Sequence, residues 1–195
     1  MKKLLLLIFV FVSFVSNAQD TIRIKKAIFE VLYSQKLEQP LWLTYRSTNR
    51  PTLVNRGTMD FYPESGVKTS DGADYYANQW DKGHLAPAAT FSDNLDNLKQ
   101  TFTYLNCMLQ QQDLNRGEWR LLEEQERKWD DIEPLTVIVK TIFNPGVKLP
   151  TGATIPTQLE KHIYFEKSKK WKCYRFKNEK PTMSWIKYEV SCTSH

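Results

Sequence analysis

The chain has 195 residues, 41% of them hydrophobic, and a formal net charge of +5 from 27 basic and 22 acidic side chains. That length suits one domain with a real core. The mild basic bias fits a polyanionic partner and is no polybasic tail. There is no internal repeat, no low-complexity segment, and no zinc-binding spacing among the three cysteines.

Met1 to Ala18 has the layout of an export leader. Lys2 and Lys3 form a positive start, Leu4 to Val15 is almost unbroken apolar sequence, and Ser16-Asn17-Ala18 supplies the small residues a signal peptidase reads. The apolar run is too short for a membrane span. No cysteine follows the cut, so a bacterial lipid anchor is not expected. The expectation is a signal peptide over 1–18, a single domain over 19–195, a periplasmic or secreted location, and no stable membrane association. In an exported protein an even subset of cysteines can pair. Cys173 and Cys192 flank a C-terminal hairpin and are the expected pair, which leaves Cys107 as a small buried apolar residue.

Ile28 to Tyr33 and Leu41 to Ser47 have strand character, the second with Leu41, Leu43 and Tyr45 on one side. Asn49 to Asp74 is irregular, rich in Pro, Gly, Asn and Asp, and holds Arg50 and Arg56. A loop of that length in a compact domain is often functional. Asp81 to Ala89 reads DKGHLAPAA. It sets His84 among groups that titrate, with Gly83 free to turn sharply and Pro87 ending regular structure. Ser92 is the expected cap of a short helix with Leu95, Leu98 and Phe102 on its apolar face. Thr103 to Leu109 follows as a short extended piece.

Asp113 is the expected cap of the main helix, from Leu114 to about Asp130. Asn115, Trp119, Glu123 and Arg127 lie four residues apart and share a stripe. Such a stripe is commonly a solvated face of i,i+4 pairs. Asn in a first turn, however, is a poor helix former without a further reason. Leu135 to Phe143 is the expected centre of the sheet. Further strands are expected at about Lys161 to Phe165, at Tyr174 to Lys177 and at Ile186 to Val190. The basic turn KSKKWK, Lys167 to Lys172, reads as a solvated hairpin tip. His162 and His195 receive no role.

The motifs together resemble the DNA/RNA non-specific endonuclease family, of the ββα-metal (His-Me finger) type. The family signature Asp-Arg-Gly-His is matched by Asp81 to His84. A later Asn, a Leu-Asn-x-Gly-x-Trp segment and a Leu-Glu-x-x-Glu-Arg run are matched by Asn106, Leu114 to Trp119 and Leu122 to Arg127. One departure is Lys82, where the family usually has Arg. Lysine keeps the charge and loses the planar fork.

The resemblance implies an α+β fold with a mixed or antiparallel central sheet, a ββα-metal catalytic core and a long active-site helix. It implies a general base at His84, a divalent metal (Mg²⁺, or Mn²⁺) on the carbonyl oxygen of Asn115, and Glu123 holding a metal-bound water. Asn106 would orient the site by hydrogen bonds, and Arg56, Lys82 and Arg127 would meet phosphate charge. Histidine can accept a proton near neutrality, and a hard cation suits oxygen ligands and phosphate. A site of this kind touches the nucleic-acid backbone and is indifferent to base sequence. A hydrolase of small phosphodiesters or nucleotides, and an inactive nucleic-acid-binding homologue, remain as alternatives. DNA against RNA, a homodimer and an inhibitor protein are left open.

Overall fold

The computed structural model describes residues 20–192, so the leader expected at 1–18 lies outside the described residues. In chain order the strands are β1 (Thr21–Lys25), β2 (Phe29–Ser34), β3 (Gln39–Ser47), β4 (Trp80–His84), β5 (Cys107–Gln111), β6 (Leu135–Ile142), β7 (Val147–Lys148), β8 (Thr154–Ile155), β9 (Gln158–Phe165), β10 (Lys170–Lys177) and β11 (Glu189–Val190). Seven of them form one antiparallel sheet in the order β1-β2-β3-β6-β9-β10-β11. β6 stands fourth, at its centre, as its run of β-branched residues leads one to expect. The fold is α+β.

One face of this sheet is the core. Period-2 alternation turns Val31 and Tyr33, Leu43 and Tyr45, Val137 and Val139, Leu159 and Ile163, and Tyr174 and Phe176 inward, all buried. The long helix at residues 112–130 covers that face with Leu114, Trp119 and Leu122, the Trp119 indole lying edge-on to Phe176 at 5.6 Å. Its hydrogen-bond pattern runs from an α turn at Gln112–Leu114 through a π turn at Asn115–Trp119 to regular α-helix over Arg120–Asp130.

Several local expectations are corrected. The long helix is capped by Gln111, whose side chain accepts from the Leu114 amide at 2.9 Å, and not by Asp113. The short helix α1 (Leu95–Thr101) is capped by Asn94, which directly precedes it and accepts from the Asn97 amide at 2.8 Å, while Ser92 lies further back and donates to the Ala88 carbonyl. The stretch before β5 coils into a 3₁₀ turn at Tyr104–Asn106. Instead of a strand from Ile186, a 3₁₀ turn at Trp185–Tyr188 packs Tyr188 on Phe176 at 4.5 Å, and only Glu189–Val190 pair with β10. Cys173 and Cys192 are disulfide-bonded, with Cα atoms 5.4 Å apart. Cys107 is free and buried, and burial pushes its thiol far above the ordinary range, so it is chemically inert.

Candidate active site

β4 and β5 form a separate two-stranded antiparallel sheet in which Asp81 faces Gln110 and His84 faces Cys107. Position 83 favours glycine, because a Cβ there would stand 2.6 Å from Gln110 Cβ, an atom that side-chain rotation does not move. The free edge of β5 carries buried backbone groups that need partners. Gln39 and Asn178 provide them: Leu109 N donates to Gln39 Oε1 at 3.0 Å, Gln111 N to Asn178 Oδ1 at 2.8 Å, and Asn178 Nδ2 to the Leu109 carbonyl at 2.8 Å. β5 then runs directly into the long helix. The two strands and the helix are the ββα unit expected from the sequence.

Asn106 is fully buried and works as a clamp. Its Nδ2 donates to the carbonyls of Ala86 (2.9 Å) and Thr101 (2.8 Å), and its Oδ1 accepts from the Ala86 amide at 2.7 Å. The backbone just beyond His84 is thereby fixed.

His84 is half-buried at the end of β4, its ring 4.7 Å from that of Phe61 and 5.1 Å from that of Phe102. Nε2 is buried and has no hydrogen-bond partner among the described residues. Burial, with the nearby Arg56 charge adding to it, lowers the imidazole from 6.5 to about 3 and holds the ring neutral at physiological pH. The Arg56 guanidinium lies over the Phe102 ring, 4.9 Å from its centroid. Lys82 is committed to Asp60, with Nζ 2.7 and 2.9 Å from the two carboxylate oxygens, and lies over the Tyr104 ring at 5.7 Å. The loop expected to carry function thus brings Arg56, Asp60 and Phe61 to the face of β4 that carries Lys82 and His84.

The depressed His84 pKa makes stability depend on pH. The unfolded chain binds this proton below about pH 6.5 and the folded chain only near pH 3, so the contribution is whole above 6.5 and is lost as pH falls. The slope is up to about 1.4 kcal/mol per pH unit. His84→Phe keeps a ring against Phe61 and Phe102, and should flatten the acid side of the stability curve relative to wild type. Urea midpoints measured from pH 7 to pH 4 check this; parallel curves would place the histidine charge in water.

Asn115 opens the π turn. Its Nδ2 donates to Asp81 Oδ2 at 2.9 Å, and Arg116 grips the same carboxylate through Nε (2.8 Å) and Nη2 (2.6 Å). The side-chain nitrogen is committed, so the oxygen is the group Asn115 can offer elsewhere. Two turns on, Glu123 Oε1 accepts from the Trp119 indole at 2.9 Å. Burial pushes the Glu123 carboxyl up to about 7, with Glu126 adding to the rise and Lys161, Arg127 and the indole opposing it. Arg127 lines a polar groove of about 420 Å³ together with Arg50, Thr90 and Lys128, though Arg50 itself is paired with Asp93 at 2.8 Å.

The structure thus gathers Arg56 and Lys82 around His84, ties Asn115 to the same strand through Asp81, and sets Glu123 and Arg127 further along the helix. Sequence reasoning missed Asp60, Phe61 and Lys161. For Lys161 a signal existed, since a charge at an inward strand position between Leu159 and Ile163 breaks the alternation. Among the described residues no group of three His, Cys, Asp or Glu side chains is placed to hold a metal. The donor set that fits a hard cation is the Asn115 oxygen with water and phosphate oxygens.

A profile of the DNA/RNA non-specific endonuclease family matches residues 10–194. Among curated proteins, the chain is 30% identical over 142 residues to a nuclease of Serratia marcescens, covering 65% of this chain and 52% of that one. It is 28% identical over 136 residues to the mitochondrial nuclease EXOG of Danio rerio, covering 65% and 39%. It is 28% identical over 109 residues to the mitochondrial endonuclease G of Bos taurus, covering 52% and 36%. The matches span about half or less of these relatives. Among solved structures, a chain from a complex of EndoG with EndoGI superposes with a TM-score of 0.76 at 20% identity, over 87% of this chain and 80% of that one. That likeness is one of fold.

Proposed function

Because the chain belongs to the DNA/RNA non-specific endonuclease family, we propose that it is an exported, metal-dependent endonuclease of DNA, RNA or both, with His84 as general base. The observation that carries this reading is the state of His84: a neutral imidazole on the same short strand that anchors Asn115 through Asp81. A neutral ring can take the proton of a water as its oxygen bonds to phosphorus and the opposite phosphoester oxygen departs. Burial is the main reason the ring is a weak base, and the Arg56 charge beside it adds to the effect. A phosphodiester anion next to Arg56 offsets that charge and makes the imidazole more basic as substrate arrives.

Arg56 and Arg127 supply positive charge for the phosphate, and Asn106 holds the backbone behind the base. The Asn115 oxygen would hold the metal, and Glu123 would accept a hydrogen bond from a water on it. Mg²⁺, when bound, supplies charge for the phosphoryl group and the leaving oxygen; Mn²⁺ suits the same oxygens. Nothing in this set reads base edges, which supports cleavage without sequence preference. The disulfide between Cys173 and Cys192 fits an oxidising compartment and supports export to the periplasm or beyond.

The deciding experiment is degradation of plasmid DNA and of structured RNA, with Mg²⁺ and with EDTA. EDTA should abolish cleavage and leave the melting temperature unchanged, because no Cys or His cage among the described residues ties folding to a metal. Cleavage of a small chromogenic diester with none of plasmid would favour the small-substrate alternative. Binding without cleavage of anything would favour an inactive homologue.

Asp60 competes with phosphate for Lys82. Asp60→Asn should therefore tighten binding of duplex DNA and steepen its salt dependence by about 0.9 in log–log slope, the value of one added phosphate contact. Lys82→Arg should be tolerated, since its fork still reaches a carboxylate or a phosphate. Titrations in EDTA at several salt concentrations read both variants. An unchanged slope for Asp60→Asn would remove Lys82 from the phosphate path.

A further inference from the structure

The inward positions along β9 are Leu159, Lys161 and Ile163, all fully buried. A buried ammonium is costly unless it is paired. Lys161 Nζ lies 3.0 Å from Glu126 Oε2, 3.4 Å from the Tyr45 hydroxyl and 4.9 Å from the centre of the Trp119 ring. Glu126 is itself fully buried and takes the Tyr45 hydroxyl at 2.8 Å on its other oxygen. Apolar side chains often replace such a pair with no loss of stability, so stability alone does not account for it.

The pair also reaches the candidate site. Lys161 Nζ is 3.7 Å from Glu123 Oε1, the oxygen that the Trp119 indole holds at 2.9 Å. No donor among the described residues engages Oε2, and the Glu123 side chain keeps 15% of its exposure. One carboxylate oxygen is hydrogen-bonded to the indole and faces the ammonium at 3.7 Å, and the other is left for the solvent side.

We propose that Lys161 is a positioning residue for the reaction: from the sheet it fixes the inner oxygen of Glu123, so that the outer one is presented to the site, while Glu126 and Tyr45 hold the ammonium in place. The link to catalysis rests on the nuclease reading above; the link between Lys161 and Glu123 does not. The charged and titratable groups facing Glu123 are Lys161 from β9, Tyr45 from β3, and Glu126 and Arg127 from its own helix.

Lys161→Met alone would strand Glu126 as a buried unpaired charge, so the test removes both charges in Lys161→Met/Glu126→Gln. In metal-free protein, carbon-13 NMR follows the Glu123 carboxyl, assigned through Glu123→Gln. The midpoint should move to higher pH in the double variant, because Lys161 acts on Glu123 more strongly than Glu126 does. An unmoved midpoint overturns the proposal. In cleavage assays the double variant should lose about 10-fold or more in kcat, as supporting partners of a metal site typically do, with nucleic-acid affinity unchanged. Adding Glu123→Gln should cost nothing further, since both changes disable one unit. Losses that multiply overturn the proposal, and so does a double variant that fails to fold, which would make the pair a stability device. If wild-type protein cleaves no nucleic acid, the functional reading fails, and the titration still decides whether Lys161 holds Glu123.

Discussion

His84→Ala is expected to lose turnover on plasmid DNA by about 10²–10⁴-fold, the usual worth of a positioned base, with little change in nucleic-acid affinity. The groups assigned to phosphate charge, Arg56 and Arg127, make no hydrogen bond to the imidazole that would be lost with it. A base acts on the transition state, so its loss appears in kcat more than in ground-state binding. Alanine also removes a ring packed against Phe61 and Phe102. His84→Phe restores that packing without a proton acceptor and should be equally inactive. Single-turnover cleavage with saturating Mg²⁺, alongside binding in EDTA, separates the effects. Near-normal cleavage by either variant would overturn the mechanism. Recovery of His84→Ala by excess Mg²⁺ would instead make the imidazole a metal ligand and put the base elsewhere.

The sheet was legible because its strands alternate. Leu43 and Tyr45 turn inward, and the β-branched run of β6 stands at the centre. β1 was not expected: it is an edge strand of five residues, none of them buried, so burial imposes little pattern on it. Helix starts were misjudged by one or two residues because the caps are side chains with several local options. Gln111 caps the long helix where Asp113 was expected to, and Asn94 caps the short one where Ser92 was. The candidate site residues were named because local strings such as DKGH and LNRGEW resemble the family's motifs. What those strings could not carry were partners distant in sequence. Asp60 meets Lys82 across 22 residues and Lys161 meets Glu126 across 35, distances at which local pattern says nothing about contact. The resulting charge state was equally hidden. Aromatic cover and a neighbouring guanidinium, not the sequence around His84, hold the ring neutral.

Asn115→Ala should fail in a different way, through the metal. The Asn115 nitrogen is held by Asp81, and Arg116 grips the same carboxylate through two further bonds. Truncating Asn115 therefore removes one bond of three at Asp81 and leaves the helix tied to β4, so the fold should survive. What is lost is the side-chain oxygen. If it is the protein's ligand, the Mg²⁺ concentration for half-maximal cleavage should rise by at least about 10-fold, the scale on which loss even of an outer partner weakens a metal site, and excess Mg²⁺ should restore part of the rate. Asn115→Asp separates the two jobs of this side chain. It keeps an oxygen but turns the donor facing Asp81 into a second carboxylate, so it should weaken the tie to β4 and lower thermal stability in metal-free protein. Cleavage rate against Mg²⁺ concentration, with Mn²⁺ binding followed directly by electron paramagnetic resonance, distinguishes these outcomes. An Asn115→Ala protein with unchanged Mn²⁺ affinity would move the metal off Asn115, and a fall in rate at every Mg²⁺ concentration would then be a loss of helix placement.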